Sequence, residues 1–306
     1  MILPRITMPN FFFNILQIIF SVTFVIFLVE AFKKAYERQN GKKERTRMNF
    51  LRYLIIALCI TTCFSVVIAE NTTDESLKTV TDKGTLTVGL CAQYPPFESI
   101  NDKTGQVEGF DVDLAKAIGK EMGVNVTIID AQWQALLGGV EKGDYDVLVT
   151  AMSKQEASAG NVGMSTPYYE LSEVIVVRSD DDSIKSPSDL EGKIVGVQSA
   201  TGAEQQVDKL TGIKEVKRYD YNNDAFLDLT NKRIDAVVVG YAYAITEANK
   251  KEGLKVINTP VGEKSELVMV TSKDSVSLRE EMDRALEAIQ KDGTYQKIVD
   301  TWLNLS

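Results

Sequence analysis

The chain has 306 residues, with 34 Lys and Arg against 43 Asp and Glu, a net charge of −9 and no histidine. This length allows two medium-sized domains and an additional segment. Because there is no histidine, catalytic triads, proton shuttles and metal sites that depend on an imidazole are excluded. We expect no metal and no cofactor.

The charge is distributed unevenly along the chain. Nine of the cations and three of the acids lie in residues 1–52, and residues 53–69 carry no charge. The remaining chain therefore holds 25 cations and 40 acids. Because nucleic-acid phosphates attract basic surfaces, this acidic part argues against nucleic acid as a partner.

Two apolar stretches lie within the first 69 residues. Residues 6–29 are free of charge and long enough to cross a bilayer as a helix, and the basic residues after them predict a cytoplasmic loop. Residues 53–69 are shorter, and Val67 and Ala69 resemble the small-residue pair of a signal-peptidase site. A start at Met48 would make residues 48–69 an ordinary signal peptide. Either interpretation predicts that residue 70 onward is exported to the periplasm or the cell surface.

The three cysteines predict no disulfide framework. Cys59 and Cys63 lie inside the second apolar stretch, and the residues before Cys63 match a lipidation site poorly. If cleavage follows Ala69, Cys91 is the only cysteine of the exported chain. We expect it to be a small apolar residue beside the first strand.

The exported part begins with polar residues 70–83, which predict a linker. The β-branched run 85–90 then predicts a buried strand that leads into a turn at residues 94–98. After Gly109, apolar residues at helical spacing predict a helix that ends at Gly123. Asp111 and Asp113 lie at the helix start, where carboxylates would accept hydrogen bonds from free N–H groups and oppose the dipole.

The rest of the chain alternates between predicted strands and helices. The predicted strands are residues 125–130, 146–150, 173–177, 193–197, 235–239 and 266–271. The predicted helices are residues 133–141, 202–210, 223–231, 241–250, 278–290 and 294–303. Repeated βα units predict an α/β fold of mostly parallel sheets with helices on both faces.

Two βα series, with a return of the chain at the end, predict two lobes. We assign residues 84–176 and 266–306 to the first lobe and residues 177–265 to the second. The chain would cross near residues 176–179 and 262–266, and two crossing strands make a hinge beside a cleft. Ligands of open α/β sheets collect at the carboxyl ends of strands, so we expect the ligand between the lobes.

Several motifs carry a resemblance to a known family. Gly-Phe-Asp-Val-Asp-Leu at residues 109–114, after Tyr-Pro-Pro-Phe-Glu at residues 94–98, resembles the signature of family 3 extracytoplasmic solute-binding proteins. Further landmarks follow in the right order, among them Ser-Thr-Pro-Tyr-Tyr at 165–169 and Asp-Gly-Thr-Tyr at 292–295. The resemblance covers nearly all of residues 84–306. It implies the two-lobe periplasmic-binding-protein-like fold of type II, with a two-strand hinge.

The resemblance also implies a function. Proteins of this family are receptors of ABC importers for polar amino acids, and they close two lobes around the solute before docking on a membrane permease. We therefore expect a monomeric receptor for a small polar solute. Some relatives on this fold are dehydratases, but the sequence offers no poised acid/base pair. A membrane-anchored sensor or an orphan binding protein stays open as the alternative.

The positions that match the family's ligand contacts define the candidate site. Tyr94 and Trp133 would hold the ligand side chain between aromatic faces, although Trp133 fits core packing equally well. Thr150 and Ser153 match positions whose hydroxyl and backbone N–H groups bind a carboxylate. Thr201 lies at a helix start, where it would either offer N–H donors to the same carboxylate or only cap the helix.

Two charged groups that the family usually carries are missing. The chain has Ser158 in place of an Arg that binds the ligand's α-carboxylate, and Gly240, followed by Tyr241, in place of an Asp that binds the α-ammonium. A buried carboxylate without its Arg is costly. We therefore expect a solute other than a standard zwitterionic α-amino acid, although Lys154 could replace the Arg from a shifted position.

Overall fold

The computed structural model describes residues 74–304, which form fifteen strands and nine α-helices. The strands are β1 (Thr85–Leu90), β2 (Gln93–Tyr94), β3 (Glu98–Ile100), β4 (Val107–Glu108), β5 (Asn125–Asp130), β6 (Val147–Leu148), β7 (Val162–Met164), β8 (Tyr169–Leu171), β9 (Glu173–Arg178), β10 (Ile194–Gln198), β11 (Glu215–Tyr219), β12 (Ala236–Gly240), β13 (Leu254–Ile257), β14 (Ser265–Leu267) and β15 (Val270–Ser272). The helices are α1 (Ser76–Lys83), α2 (Phe110–Glu121), α3 (Leu136–Lys142), α4 (Lys154–Ala157), α5 (Gly202–Val207), α6 (Asn222–Thr230), α7 (Tyr241–Lys250), α8 (Val276–Lys291) and α9 (Thr294–Trp302). Short 3-10 helices lie at Trp133–Ala135 and Pro187–Leu190.

Two five-stranded sheets share one plan. The first has the order β5-β1-β6-β15-β7, and the second has the order β11-β10-β12-β9-β13. In each sheet the first three strands are parallel, and the other two join through antiparallel pairs. The apolar runs of the central strands are buried on both faces, as in Val88 and Val238. The predicted α/β class is confirmed. Each sheet is mixed, because it contains both parallel and antiparallel strand pairs.

A separate pair of strands, β8 and β14, connects the two sheets. β8 leads into β9 of the second sheet, and β14 leads back into β15 of the first. We call the part built on the first sheet the first lobe and the part built on the second sheet the second lobe. The crossing predicted at residues 176–179 falls inside β9, so the chain leaves the first lobe a few residues earlier. The predicted strand 266–271 is likewise two strands, one in the hinge and one in the first sheet.

The signature Gly-Phe-Asp segment ties the start of α2 to the turn before it. Gly109 has a φ of 139°, and a Cβ there would overlap the carbonyl oxygen of Phe97, so only glycine fits. The N–H groups of Phe110 and Asp111 donate to the carbonyls of Pro96 and Phe97, each at 2.9 Å. Phe97 and Phe110 are both fully buried, so this connection lies inside the core.

The two carboxylates at the start of α2 do not cap the helix, contrary to the prediction. Asp111 is fully buried and accepts hydrogen bonds from the N–H of Ala151 and the hydroxyl of Tyr168. Asp113 accepts a hydrogen bond from the indole N–H of Trp302 at 2.8 Å. Both side chains therefore hydrogen-bond to residues from distant parts of the chain.

The prediction of a linker at residues 70–83 is wrong for the described part of that range, because residues 76–83 form α1. Val80 is 1% exposed, and with Leu77 it joins the core of the first lobe. The Ser76 hydroxyl lies 3.1 Å from the hydroxyl of Ser277 at the start of α8. The helix looks polar in sequence because it buries a single narrow face.

The apolar stretches 6–29 and 53–69, and the signal peptide proposed for residues 48–69, lie outside the described residues. Between residues 74 and 304, no helix is long and apolar enough to cross a membrane.

Replacing Val80 by Ala should lower the free energy of unfolding by about 1–3 kcal/mol, because it removes methyl groups from a packed core. Thr79 is exposed on the same helix, and Thr79→Ala should change this free energy by less than about 0.5 kcal/mol. Urea titrations followed by circular dichroism measure both values. Equal effects of the two substitutions would mean that α1 is not packed against the first lobe.

Candidate functional site

A cavity of about 570 Å³, counting the space open to solvent, lies between the two lobes. Its walls include the loops that follow β1, β5 and β6 in the first lobe and β10 and β11 in the second. These loops start at the carboxyl ends of parallel strands, where ligands of α/β sheets collect. The cavity therefore lies where the sequence predicts a ligand.

The first-lobe wall of the cavity is a hydrogen-bonded network. The N–H of Cys91 donates to the Thr150 hydroxyl at 3.1 Å, and that hydroxyl donates to the carboxyl group of Glu98 at 2.8 Å. Glu98 in turn hydrogen-bonds to Asp111. Thr150 thus lines the cavity as predicted for a ligand contact, but its hydroxyl already has partners within the protein.

Glu98 and Asp111 form a buried pair of carboxyl groups. Burial, followed by the charge of Asp111, raises the pKa of Glu98 well above its usual range, and burial raises the pKa of Asp111 to about 7. One oxygen of each group, Glu98 Oε2 and Asp111 Oδ1, has no other partner within residues 74–304. A proton held between the two groups satisfies both, since two adjacent buried carboxylates cannot both be ionised without a large cost.

Ser153 begins α4 in a capping box with Glu156. The Ser153 hydroxyl accepts from the N–H of Glu156 at 3.2 Å, and one carboxylate oxygen of Glu156 accepts from the N–H of Ser153 at 2.6 Å. The other oxygen crosses the cleft and accepts from the N–H of Gly202 at 2.6 Å. The sequence reasoning missed Glu156, although the Ser-x-x-Glu spacing was a signal for this arrangement.

Thr201 caps α5, which is one of the two roles predicted for it. Its hydroxyl accepts from the N–H of Glu204 at 3.3 Å and donates to the carbonyl of Gln198 at 2.7 Å. The next N–H along the chain, that of Gly202, already bonds to Glu156. Thr201 therefore lines the cavity with its hydroxyl already in use.

Glu173, the first residue of β9, is a second cavity residue that the sequence reasoning missed. Its side chain is 5% exposed, and Oε2 has no hydrogen-bond partner in the described part of the chain. Burial, and then the charge of Glu156, raise the pKa of Glu173 to about 8. In the sequence, this acid only precedes an apolar run, and nothing local shows which way its side chain points.

Both predicted aromatic residues line the cavity. Tyr94 stacks on Tyr243 of the second lobe, with 4.8 Å between ring centroids and 13° between ring planes, and on Phe97 at 5.8 Å. The half-buried Trp133 donates its indole N–H to the carbonyl of Ala200 across the cleft at 3.1 Å. Tyr243 thus covers one face of the Tyr94 ring.

Three other predicted site residues, Ser158, Gly240 and Tyr241, are not among those that line the cavity. Ser158 is exposed, and its hydroxyl donates to the carbonyl of Lys154 at 2.7 Å. Gly240 is buried, and a Cβ on it would overlap the hydroxyl of Tyr94. Tyr94 therefore fills the space that an Asp side chain at position 240 would need.

No Lys or Arg of residues 74–304 lines the cavity. Lys154, the predicted replacement for the missing Arg, forms a surface ion pair with Glu266 at 2.7 Å and does not line the cavity. Within residues 74–304, the charged side chains that line it are carboxyl groups only. The same residues contain no group of three or more side chains suited to a metal.

The sequence profile of the bacterial extracellular solute-binding proteins, family 3, matches residues 86–305. The chain belongs to this family. It is 34% identical over 220 residues to ABC transporter arginine-binding protein 1 of Escherichia coli strain K12, a match that spans 70% of this chain and 88% of that protein. It is 28% identical over 227 residues to the L-cystine-binding protein TcyJ of the same strain, across 74% of this chain and 85% of that protein.

Solved structures share the fold of this family 3 protein. The P235GK mutant of ArgBP from T. maritima matches with a TM-score of 0.69 and 35% identity, over 74% of this chain and 99% of that one. An ancestral amino acid-binding protein, AncCDT-1, described as a precursor of cyclohexadienyl dehydratase, matches with a TM-score of 0.69 and 31% identity at the same coverage. The predicted type II periplasmic-binding-protein fold is confirmed.

The stability of this family 3 protein, without added solute, should fall as the pH rises from about 4.5 to about 8. The pKa of Glu173 is raised from 4.5 to about 8 by burial, so in this range the folded chain keeps a proton that the unfolded chain has released. Each such group removes up to about 1.4 kcal/mol from the free energy of unfolding per pH unit. Urea unfolding at several pH values between 5 and 8 measures this slope.

The variant Glu173→Gln should have a shallower slope, because the titrating group is gone. Glu287→Gln is the control, since Glu287 is exposed and its pKa is lowered by its hydrogen bond to Lys291. That variant should keep the original slope. If both variants retained the slope, Glu173 would not be its source.

Proposed function

We propose that this protein is an extracytoplasmic receptor of an ABC importer that closes its two lobes around a small polar solute. The cavity between the lobes carries this proposal. Three hydrogen bonds cross the cleft beside it: Trp133 to the carbonyl of Ala200, Gln134 to the carbonyl of Asp220 at 3.3 Å, and the N–H of Gly202 to Glu156. A solute there touches both lobes at once.

Closure follows from this geometry. A solute that contacts both lobes binds the closed arrangement more tightly than the open one, so it shifts the population toward the closed form by that difference in affinity. The paired strands β8 and β14 provide the hinge, because they are the connections between the sheets. The closed form is then the species that docks on a membrane permease.

The relatives are named for arginine and cystine, and we propose that the solute here is amino-acid-like but not a standard zwitterionic α-amino acid. Three features support this. No Lys or Arg lines the cavity within residues 74–304, Ser158 lies outside it, and Tyr94 covers Gly240. A bound carboxylate would therefore lack a counter-ion, at a cost of about 3–5 kcal/mol when a buried partner is missing.

We propose binding rather than catalysis as the activity. The named relatives in E. coli are binding proteins, and AncCDT-1 is itself described as amino acid-binding. The Thr150 hydroxyl, which faces the cavity, bonds to Glu98 and Cys91 within the protein.

A thermal-shift screen of the purified full-length chain against amino acids, amines, organic acids and small peptides tests the receptor function. A solute that binds only the folded state raises the melting temperature, by an amount equivalent to about 2.7 kcal/mol at a hundredfold excess over Kd. Small-angle scattering of the same mixture should show a smaller radius of gyration. Binding without compaction would contradict the two-lobe clamp, and a screen with no binder would contradict the receptor.

Replacing Trp133 by Phe should weaken the affinity for the solute found in the screen by about 2- to 10-fold. The substitution removes one hydrogen bond of the closed arrangement, and such a bond contributes about 0.5–1.5 kcal/mol. Trp302→Phe is the matched control, because that indole bonds to Asp113 within the first lobe, at 2.8 Å. Calorimetric titration measures both, and an equal loss in the two variants would rule out a specific role for Trp133 in closure.

A further inference from the structure

The cavity contains a buried acid that has no hydrogen-bond partner at one oxygen within residues 74–304. Glu98, Glu156 and Glu173 are the carboxyl groups that line it within residues 74–304. Glu98 hydrogen-bonds to Asp111, and Glu156 accepts hydrogen bonds from two backbone N–H groups. Glu173 has neither kind of support at Oε2, although its side chain is 95% buried. Buried carboxyl groups normally have a hydrogen-bond partner, so this one indicates a missing group.

The position of Glu173 shows where that group would sit. Its Oε1 lies 3.3 Å from the point that a Cβ on Gly202 would occupy, and Oε1 of Glu156 lies 3.7 Å from the same point. The hydroxyl of Ser265 is also 3.7 Å from this point. Two carboxyl groups and one hydroxyl thus converge at one end of the cavity, and all three can accept hydrogen bonds. A cationic donor would satisfy Glu173 and offset the charge of Glu156.

Three backbone donors beside the cavity are already in use. The N–H of Ala151 bonds to Asp111, and the N–H groups of Ser153 and Gly202 bond to Glu156. A carboxylate on the solute would find these three donors taken, and it would lie beside the carboxylate of Glu156, which has the same sign. Like charges at such distances oppose binding strongly in a buried site.

We infer that the solute is a small organic cation without a carboxylate, an aliphatic amine or guanidinium compound whose charged end bonds to Glu173. This inference rests on the proposed receptor function and supplies the class of solute. The charged end lies between Glu173 and Glu156, and the rest of the molecule extends along the cavity toward Trp133.

Two matched pairs of solutes test this inference by calorimetric titration of the full-length chain. Agmatine is arginine without its carboxylate, and putrescine is ornithine without its carboxylate. We expect the member without the carboxylate to bind about tenfold or more tightly than its amino acid in at least one pair.

The outcomes separate the two proposals. Equal or tighter binding of the amino acids would overturn the inference and leave the receptor function standing. Binding of only neutral or anionic solutes in the wider screen would do the same. If no solute of any class bound, the receptor function itself would be overturned.

The variant Glu173→Gln tests the role of the acid, because it keeps the shape and removes the charge. Affinity for the preferred amine should fall about tenfold or more, since the amine loses its buried counter-ion. Glu263→Gln removes the same charge from an exposed position and should change the affinity by less than about twofold, because solvent screens exposed charges. Melting temperatures of both variants establish that they fold. Equal affinities in the two variants would overturn the assignment.

Proton release gives a readout that does not depend on any variant. The groups that face Glu173 are Glu156 on α4 and Tyr94 on β2, and burial keeps the pKa of Tyr94 well above its usual range, so Tyr94 stays neutral. Because the pKa of Glu173 is raised to about 8, it is mostly protonated at pH 7, and a bound cation should displace up to about one proton. Titrations in two buffers of different ionisation enthalpy measure this number. Identical heats in both buffers would overturn Glu173 as the group that takes the cation.

Discussion

The buried carboxyl group of Asp111 holds the first-lobe side of the cleft together. It bonds to the N–H of Ala151, whose φ of 46° turns the chain after β6, and it hydrogen-bonds to Glu98, which bonds to Thr150. The turn before α2, the start of α2 and the loop after β6 therefore meet at one acid. A buried carboxyl group that lost these partners would strongly destabilise the fold. The positions of the three segments therefore depend on one another. The loop that carries Ser153 and Glu156 begins from this point.

Carboxyl groups, and no Lys or Arg of residues 74–304, line the cavity. The fold is shared with proteins named for arginine and cystine, and the cavity lies at the strand ends that the fold provides. In this chain, however, three backbone donors of the cleft, the N–H groups of Ala151, Ser153 and Gly202, are bonded to the protein's own carboxyl groups. If the solute is a cation, as we infer, Glu173 is the group that meets its positive charge.

The sequence predicted the features that depend on local patterns. The apolar runs and their spacing gave the α/β class and two lobes, the Gly-Phe-Asp segment gave the family, and Thr201 was recognised as a possible cap. Features set by contacts between distant residues were missed: the packing of Val80, the partners of Asp111 and the lobe to which β9 belongs. The family's Arg aligns with Ser158, which the sequence therefore marked as the position facing the ligand. In the structure, the capping box after β6 instead directs Glu156, two residues earlier, into the cleft. The direction of a side chain in such a loop depends on the hydrogen bonds formed where the strand ends. These bonds leave no periodic pattern in the sequence, so the sequence does not reveal the direction.

The three hydrogen bonds across the cleft share one property. On the second-lobe side, each uses a main-chain atom: the carbonyl oxygens of Ala200 and Asp220 and the N–H of Gly202. Main-chain groups are the same for almost every amino acid, so substitutions at Ala200 or Asp220 can alter the cleft surface without deleting these bonds. The first lobe, in contrast, contributes side chains to all three. Evolution of a new binding preference could therefore proceed on the second lobe while the closing geometry is inherited unchanged.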